Sequence, residues 1–219
     1  MTDYNALRMA SLHRLMGLLD GLEPEQWDAP TLCDGWNVRH VAAHIGGGYQ
    51  VDPNDIGALV ATYGSVDAAA KALAVQTGDE LDRPALLGLL ELAAVPEPGG
   101  LGAVIPKEES VVDHLIHRGD IGLALGMDAS ALADDEAELA AALAVAPGIG
   151  GFLGADQRAA GLSLRATDMD WSWGDGPEVA GPAFALLLAL GGRPAGLEQC
   201  TGDGAEPLAA LMGVDGRSR

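Results

Sequence analysis

Two short stretches of the sequence contain residue types that bind metal ions. Residues 37–44 read Asn-Val-Arg-His-Val-Ala-Ala-His, and residues 113–117 read Asp-His-Leu-Ile-His. In each stretch two potential ligands lie four residues apart, so they share one face of a helix. The protein has only five histidines, and four of them lie in these stretches. Because imidazoles with a nearby carboxylate suit a catalytic divalent metal ion, a metal centre is the leading hypothesis.

The alternative for any one of these histidines is an ordinary packing or surface role on its helix. His13 stands alone on the first helix and is not predicted to be a ligand. Asp120 follows His117 by three residues, a spacing that lets its carboxylate orient the imidazole or cap a neighbouring element. Cys33 offers a thiol, but the sequence favours simple packing in a loop over redox or thiolate chemistry.

The charge balance restricts the classes of partner. The chain carries a net charge of −20 with only 12 lysines and arginines. Nucleic acids and anionic membranes both need a basic face, so we expect neither as a partner. A small-molecule substrate remains, and an anionic one needs a specifically placed arginine because the overall field repels it. The sequence specifies no oligomeric state.

The cellular compartment follows from cysteine usage and the N-terminus. Two cysteines are too few for a disulfide framework, and they form no Cys-x-x-Cys motif. The first residues lack the basic and apolar regions of a signal peptide. No apolar run reaches the roughly 18 residues of a membrane-spanning helix. These features predict a cytoplasmic protein.

Hydrophobic periodicity and capping residues predict a helix bundle in the first two thirds of the chain. Predicted helices cover residues 3–20, 37–45, 53–63, 65–76, 82–95, 106–125 and 130–146. We expect the three glycines at 46–48 to end the second helix. Helix bundles build metal sites from side chains that face each other across the core.

The pattern changes after the Pro-Gly-rich segment at residues 147–151, a plausible domain boundary. Apolar residues then alternate with polar ones from Leu162 to Thr167, which predicts a short hairpin or meander followed by an apolar helix. The fold class is thus a four-helix bundle followed by a small α+β domain. We place the bundle at residues 1–148 and the second domain at 149–219.

Three segments resemble the mycothiol-dependent maleylpyruvate isomerase family, which belongs to the DinB-like superfamily of metal-binding four-helix bundles. The first is Trp-Asp-Ala-Pro-Thr-Leu-Cys-Asp-Gly-Trp at residues 27–36 together with the helix that reaches His44. The second is residues 113–126, and the third is residues 164–193. The segments occur in the family's order and span nearly the full length of the chain.

The resemblance implies that His44, Asp113 and His117 are metal ligands. Ligands in the family are normally His, Glu and His, so Asp113 is one methylene shorter than expected. His40 lies four residues before His44 and is a possible substitute ligand or a residue that supports the ligands. The family also uses an arginine of the C-terminal domain in catalysis, and Arg193 occupies the matching position. The alternative for Arg193 is a charge that interacts with a helix end.

The resemblance further implies a function. A divalent metal, zinc by preference, would bind the thiol mycothiol as thiolate and activate it for addition to an electrophilic small molecule. The reaction would be an isomerisation or an S-transfer. The alternative is a degenerate, non-catalytic member of the family that acts as a small-molecule-binding or regulatory protein. The shorter Asp113 and the lack of a second obvious acid–base residue favour that alternative.

Overall fold

The chain folds into two compact units that divide between Asp128 and Ala129. A computed structural model describes residues 2–151 and 153–213. The first unit is helical, and the second combines short helices with a three-stranded sheet. The expected fold class, a helix bundle followed by a small α+β unit, is confirmed. The division falls earlier than the boundary after residue 148 that the sequence suggests.

Four of the six α-helices that the structure describes in the first unit begin at a polar side chain that caps them. The six helices are α1 Tyr4–Asp20, α2 Val38–Gln50, α3 Ile56–Tyr63, α4 Val66–Glu80, α5 Arg83–Ala93 and α6 Lys107–Ala124. The side chains of Asp3, Asn37, Ser65 and Asp82 accept hydrogen bonds from backbone N–H groups in the first turns of α1, α2, α4 and α5. Each cap satisfies donors that have no partner within the helix.

The core of the first unit forms along the apolar faces of these helices. Leu12, Leu15 and Leu19 of α1 are fully buried, as are Val41 of α2 and Leu115 of α6. Helix α1 packs against α6, and α2 packs against α4 and α5. This packing holds α2 and α6, the two helices that contain the histidine-rich stretches, in fixed positions.

Helix α2 differs from its prediction, because it continues through the three glycines and ends at Gln50. A Cβ atom on Gly46 would lie 2.9 Å from the Cβ of Leu89 and 3.0 Å from the backbone nitrogen of Leu90. Gly46 therefore allows close contact between α2 and α5, and the expectation that residues 46–48 end the helix is wrong.

The second unit contains a small sheet with β1 in its centre. Its elements are α7 Ala129–Leu132, α8 Glu136–Val145, α9 Ala155–Ala159, β1 Ser163–Ala166, β2 Ser172–Trp173, β3 Glu178–Gly181, α10 Ala183–Leu190, α11 Pro194–Leu197 and α12 Ala205–Leu211. Strand β1 pairs antiparallel with β2, as the expected hairpin requires, and parallel with β3, which a simple meander does not provide. All eight residues of α10 are buried.

The helix predicted for residues 130–146 is interrupted in the structure. Helix α7 ends at Leu132, and α8 begins after Asp135, whose side chain accepts a hydrogen bond from the backbone N–H of Glu138. Acidic residues that fit the first turn of a helix therefore start a new helix here instead of lying inside a longer one.

Within residues 2–151 and 153–213, no single helix combines the length and the apolar character needed to cross a membrane. The helical segments Pro53–Tyr63 and Val66–Glu80 are long and apolar enough to cross a membrane only if they are counted together, and a 95° bend separates them.

Candidate metal centre

Helices α2 and α6 bring three of the predicted ligands together. The ligand atoms of His44, Asp113 and His117 all lie within 4.8 Å of one another, and we call these three residues the His44 cluster. The imidazole rings of His44 and His117 meet edge to face, with centroids 5.0 Å apart. The Nε2 atom of His117 lies 3.4 Å from a carboxylate oxygen of Asp113.

The His44 cluster is half-open. His117 is only 5% exposed, whereas His44 and Asp113 are half-buried. Trp36 lies against both histidines, with ring centroids 5.0 Å from His44 and 6.2 Å from His117. The indole of Trp36 therefore forms one wall of this cluster.

A second group of ligand atoms lies on the other edge of the His117 ring. The Nδ1 atom of His117 is 2.9 Å from Oδ2 of Asp120, which is fully buried. The Cys33 thiol donates a hydrogen bond to the same oxygen over 3.0 Å, and its sulfur lies 3.6 Å from Nδ1. We call Cys33, His117 and Asp120 the Cys33 cluster; their ligand atoms also lie within 4.8 Å of one another.

The loop that carries Cys33 and Trp36 is tied to helix α6 by its backbone. The N–H of Leu32 donates to the carbonyl oxygen of Asp120 over 3.1 Å. Within the loop, the N–H of Trp36 donates to the carbonyl oxygen of Cys33 over 3.0 Å. These bonds hold the thiol on one side of His117 and the indole on another.

His117 lies between the carboxylates of Asp113 and Asp120. Burial by itself lowers the pKa of His117, but the charge of Asp113 and the hydrogen bonds with Asp120 and Cys33 outweigh it and raise the pKa to about 10. A metal ion bound here must displace a proton from the ring, because only an unprotonated nitrogen can be a ligand.

His40 has different partners from His44. Its Nδ1 accepts a hydrogen bond from the backbone N–H of Asn37 over 3.3 Å, and its Nε2 lies 3.0 Å from Oδ1 of Asp79. Both ring nitrogens thus contact residues outside the two clusters, and the imidazole helps to cap the start of α2. The structure does not bring His40 together with Asp113 and His117.

Arg193 lies in the second unit, directly after the Gly-Gly turn that ends α10. Its guanidinium donates to the carbonyl oxygen of Gly191. Arg158, which sequence analysis did not single out, donates to the carbonyl oxygen of Leu190 over 2.7 Å. Burial and the nearby charge of Arg193 both lower the pKa of Arg158. Two positive charges therefore lie close together at this turn.

A buried polar pair next to Asp113 was also missed. His114 is fully buried, and its Nε2 lies 3.2 Å from the hydroxyl of Tyr49. Burial is the main reason why the pKa of His114 falls to about 3, so the ring is neutral. Arg8, fully buried as well, has its guanidinium 5.7 Å from the centre of the Tyr49 ring. Nothing in the local sequence distinguishes this packed histidine from the neighbouring ligand candidates.

Comparison with known proteins points to one family. Residues 8–107 match the family model described as the mycothiol maleylpyruvate isomerase N-terminal domain. No curated protein matches the chain. A crystal structure of the mycothiol-dependent maleylpyruvate isomerase is similar, with 18% identity, 92% of each chain covered and a TM-score of 0.61. The structure of a histidine-to-alanine mutant of that isomerase matches with 17% identity, the same coverage and a TM-score of 0.62. At these identities the similarity concerns the fold.

Proposed function

We propose that this chain is a metal-dependent enzyme that uses a low-molecular-weight thiol, because its residues 8–107 match the family model of the mycothiol maleylpyruvate isomerase N-terminal domain. In this proposal the thiol is mycothiol and the substrate is a small electrophilic molecule. The reaction is an isomerisation, or an S-transfer if the thiol stays attached. The observation that carries the proposal is the convergence of His44, Asp113 and His117.

The donor set and its dimensions fit a divalent ion. A tetrahedral zinc ion with ligands at 2.0–2.2 Å separates a nitrogen ligand from an oxygen ligand by about 3.4 Å. The distance between Nε2 of His117 and Oδ1 of Asp113 is 3.4 Å. His44, Asp113 and His117 would therefore hold the ion, and zinc suits two imidazoles with one carboxylate. The shorter Asp113 supports this fit, since it reaches the ring of His117 from one helical turn away.

The surrounding residues would prepare this site for a thiol. When bound, the ion would lower the pKa of a thiol and keep it as a nucleophilic thiolate at neutral pH. Asp120 fixes the ring orientation of His117 through Nδ1. Trp36 covers one side of both histidines. The half-buried sides of His44 and Asp113 leave a direction from which thiol and substrate can approach.

Arg193 is the residue that we assign to an anionic substrate. A guanidinium binds a carboxylate through two parallel hydrogen bonds. Arg158 lies close enough to affect Arg193 electrostatically, so the two residues add positive charge to a molecule with a net charge of −20. Because the proposed reaction needs a reduced thiol, we place the enzyme in the cytoplasm.

Metal analysis of the untagged protein, purified without chelators, tests the proposal. We expect at least one zinc ion per chain in the wild type and about one ion per chain fewer in His44→Ala, because the variant loses one of the three ligands of the His44 cluster. His13→Ala is the matched control: His13 is exposed on α1, and its removal should leave the metal content unchanged.

An assay with mycothiol and an unsaturated diketo acid tests the chemical half of the proposal. We expect thiol-dependent turnover by the wild type and none by His44→Ala. A metal-free wild type without turnover would favour a non-catalytic small-molecule-binding protein. A metal-loaded protein that shows no mycothiol-dependent turnover would contradict the assignment of the thiol but not that of the metal.

A further inference from the structure

The Cys33 cluster has the composition of a metal site in its own right. A thiol, an imidazole nitrogen and a carboxylate oxygen surround one point next to Nδ1 of His117. The His44 cluster faces the opposite nitrogen of the same ring, because Nε2 is the atom near Asp113. The two groups of ligands therefore share His117 and nothing else.

The dimensions of the Cys33 cluster are close to those of an occupied site. Around a tetrahedral zinc ion, a thiolate sulfur lies about 3.6 Å from nitrogen and oxygen ligands, which are about 3.4 Å apart. Here the sulfur of Cys33 is 3.6 Å from Nδ1 of His117 and 3.0 Å from Oδ2 of Asp120. The Asp120 oxygen is 2.9 Å from Nδ1. An ion would need the carboxylate to move by roughly half an ångström, which the loss of two hydrogen-bonded protons permits.

Charge and access also suit a cation. Asp120 is fully buried, and Asp113 lies on the other side of the shared histidine, so the field at this place is negative. Cys33 is half-buried and lines an open cleft of about 380 Å³ together with Trp36 and Asn37. An ion can therefore reach the sulfur from solvent without opening the helical core.

We propose that Cys33, Asp120 and Nδ1 of His117 form a second metal site, selective for a thiophilic divalent ion such as Cd²⁺ or Zn²⁺. Thiolate ligands favour soft ions, whereas the His44 cluster offers no sulfur. On binding, the Cys33 thiol and the Nδ1–H group each release a proton to solvent, and three ligand bonds to the ion form. The site goes beyond the proposed function and does not require catalysis.

Titration of the metal-free full-length protein with CdCl₂ tests this site directly. Binding to a thiolate produces a sulfur-to-cadmium charge-transfer absorption in the ultraviolet, and we expect the wild type to show it. Cys33→Ser should abolish the absorption, whereas the matched control Cys200→Ser should keep it. Absence of the absorption in the wild type, or its persistence in Cys33→Ser, overturns the proposal.

Two further variants separate this site from the proposed catalytic site. Asp120→Asn should weaken Cd²⁺ binding at least about 10-fold, because the amide is a poor ligand. His44→Ala should keep the charge-transfer absorption even though it loses zinc from the His44 cluster. Loss of the absorption in His44→Ala would mean that Cys33 merely joins the other cluster, and the second site would be wrong.

Cadmium-113 NMR of the wild type provides a test that needs no variant. We expect a chemical shift typical of one sulfur ligand with nitrogen and oxygen ligands. A shift typical of nitrogen and oxygen ligands alone contradicts the site, even if Cys33→Ser proves too unstable to study.

Discussion

At the scale of single residues, the two thiols of the protein have different surroundings. The Cys33 thiol donates to the carboxylate of Asp120, beside an imidazole. The Cys200 thiol donates over 3.4 Å to the backbone carbonyl oxygen of Gly196. Burial raises the pKa of Cys200 to about 11. Cys200 is therefore a protonated, unreactive thiol at neutral pH, which makes it a suitable control for Cys33.

The raised pKa predicts how fast Cys200 reacts with iodoacetamide. In a Cys33→Ser background, we expect the rate to rise about tenfold per pH unit from pH 7 to 9, because only the thiolate reacts. The rate should not level off until the pH approaches about 11. The same variant unfolded in guanidinium should react faster and level off near the ordinary thiol pKa of about 8.5. A plateau near pH 8.5 in the folded protein would contradict the predicted pKa.

The sequence predicts the His44 cluster better than the Cys33 cluster, for a physical reason. His117 and Asp113 are one helical turn apart, so periodicity alone places them on one face. The contact between Cys33 and Asp120 joins positions 87 residues apart, and it forms only because the loop before α2 bonds to the backbone of α6. Local sequence patterns do not predict that loop geometry. Cys33 does lie in the segment, residues 27–36, that resembles the family.

At the scale of elements, the position of His44 depends on how α2 packs against α5. The close approach at Gly46 fixes the rotation and the height of α2, on which His44 lies two residues earlier. A Cβ on Gly48, in the same helix, would have no atom within 4 Å apart from its chain neighbours and the helix's own backbone. A substitution at Gly48 therefore reports on helix propensity alone, whereas the same substitution at Gly46 also reports on packing between α2 and α5.

We predict opposite effects of alanine at these two glycines on the free energy of unfolding. Gly46→Ala should destabilise the protein by about 1–3 kcal/mol, because the new methyl group must push Leu89 and the α5 backbone away. Gly48→Ala should stabilise it by up to about 1 kcal/mol, since alanine favours a helix over glycine. Urea unfolding followed by circular dichroism measures both. Equal effects of the two substitutions would show that α2 and α5 are not in close contact at Gly46.

The same glycines show where prediction of elements from sequence fails. Glycine ends a helix when it adopts a left-handed conformation, and it continues a helix when a neighbouring helix leaves no room for a side chain. Contact with α5 decides between these outcomes at Gly46, and that contact is not local. Helix starts were easier to predict, because caps such as Asp3 and Asp82 act on the next few residues.

At the scale of the whole molecule, net charge determines which substrates approach. With 32 acidic residues against 12 basic ones, the protein repels anions at long range, and salt screens this repulsion. A local cation must then hold an anionic substrate against the field. Arg193, which follows a tight turn and has Arg158 close by, is the residue that we propose for this role.

Arg193→Ala should reduce kcat/KM for a carboxylate substrate about 100-fold or more, because a charge-assisted, two-point hydrogen bond is worth about 3 kcal/mol. The metal content should not change, since Arg193 is assigned to the substrate and not to the metal. Arg165→Ala is the matched control: Arg165 is exposed in the same unit and pairs with Glu178, so its removal should leave activity within about twofold. If Arg193→Ala behaves like Arg165→Ala, Arg193 serves only as a charge at a helix end, and the substrate need not be anionic.

For the wild type, kcat/KM for a carboxylate substrate should rise when salt is raised from low ionic strength. The reason is that salt screens the repulsion between the anionic substrate and the protein's net charge of −20.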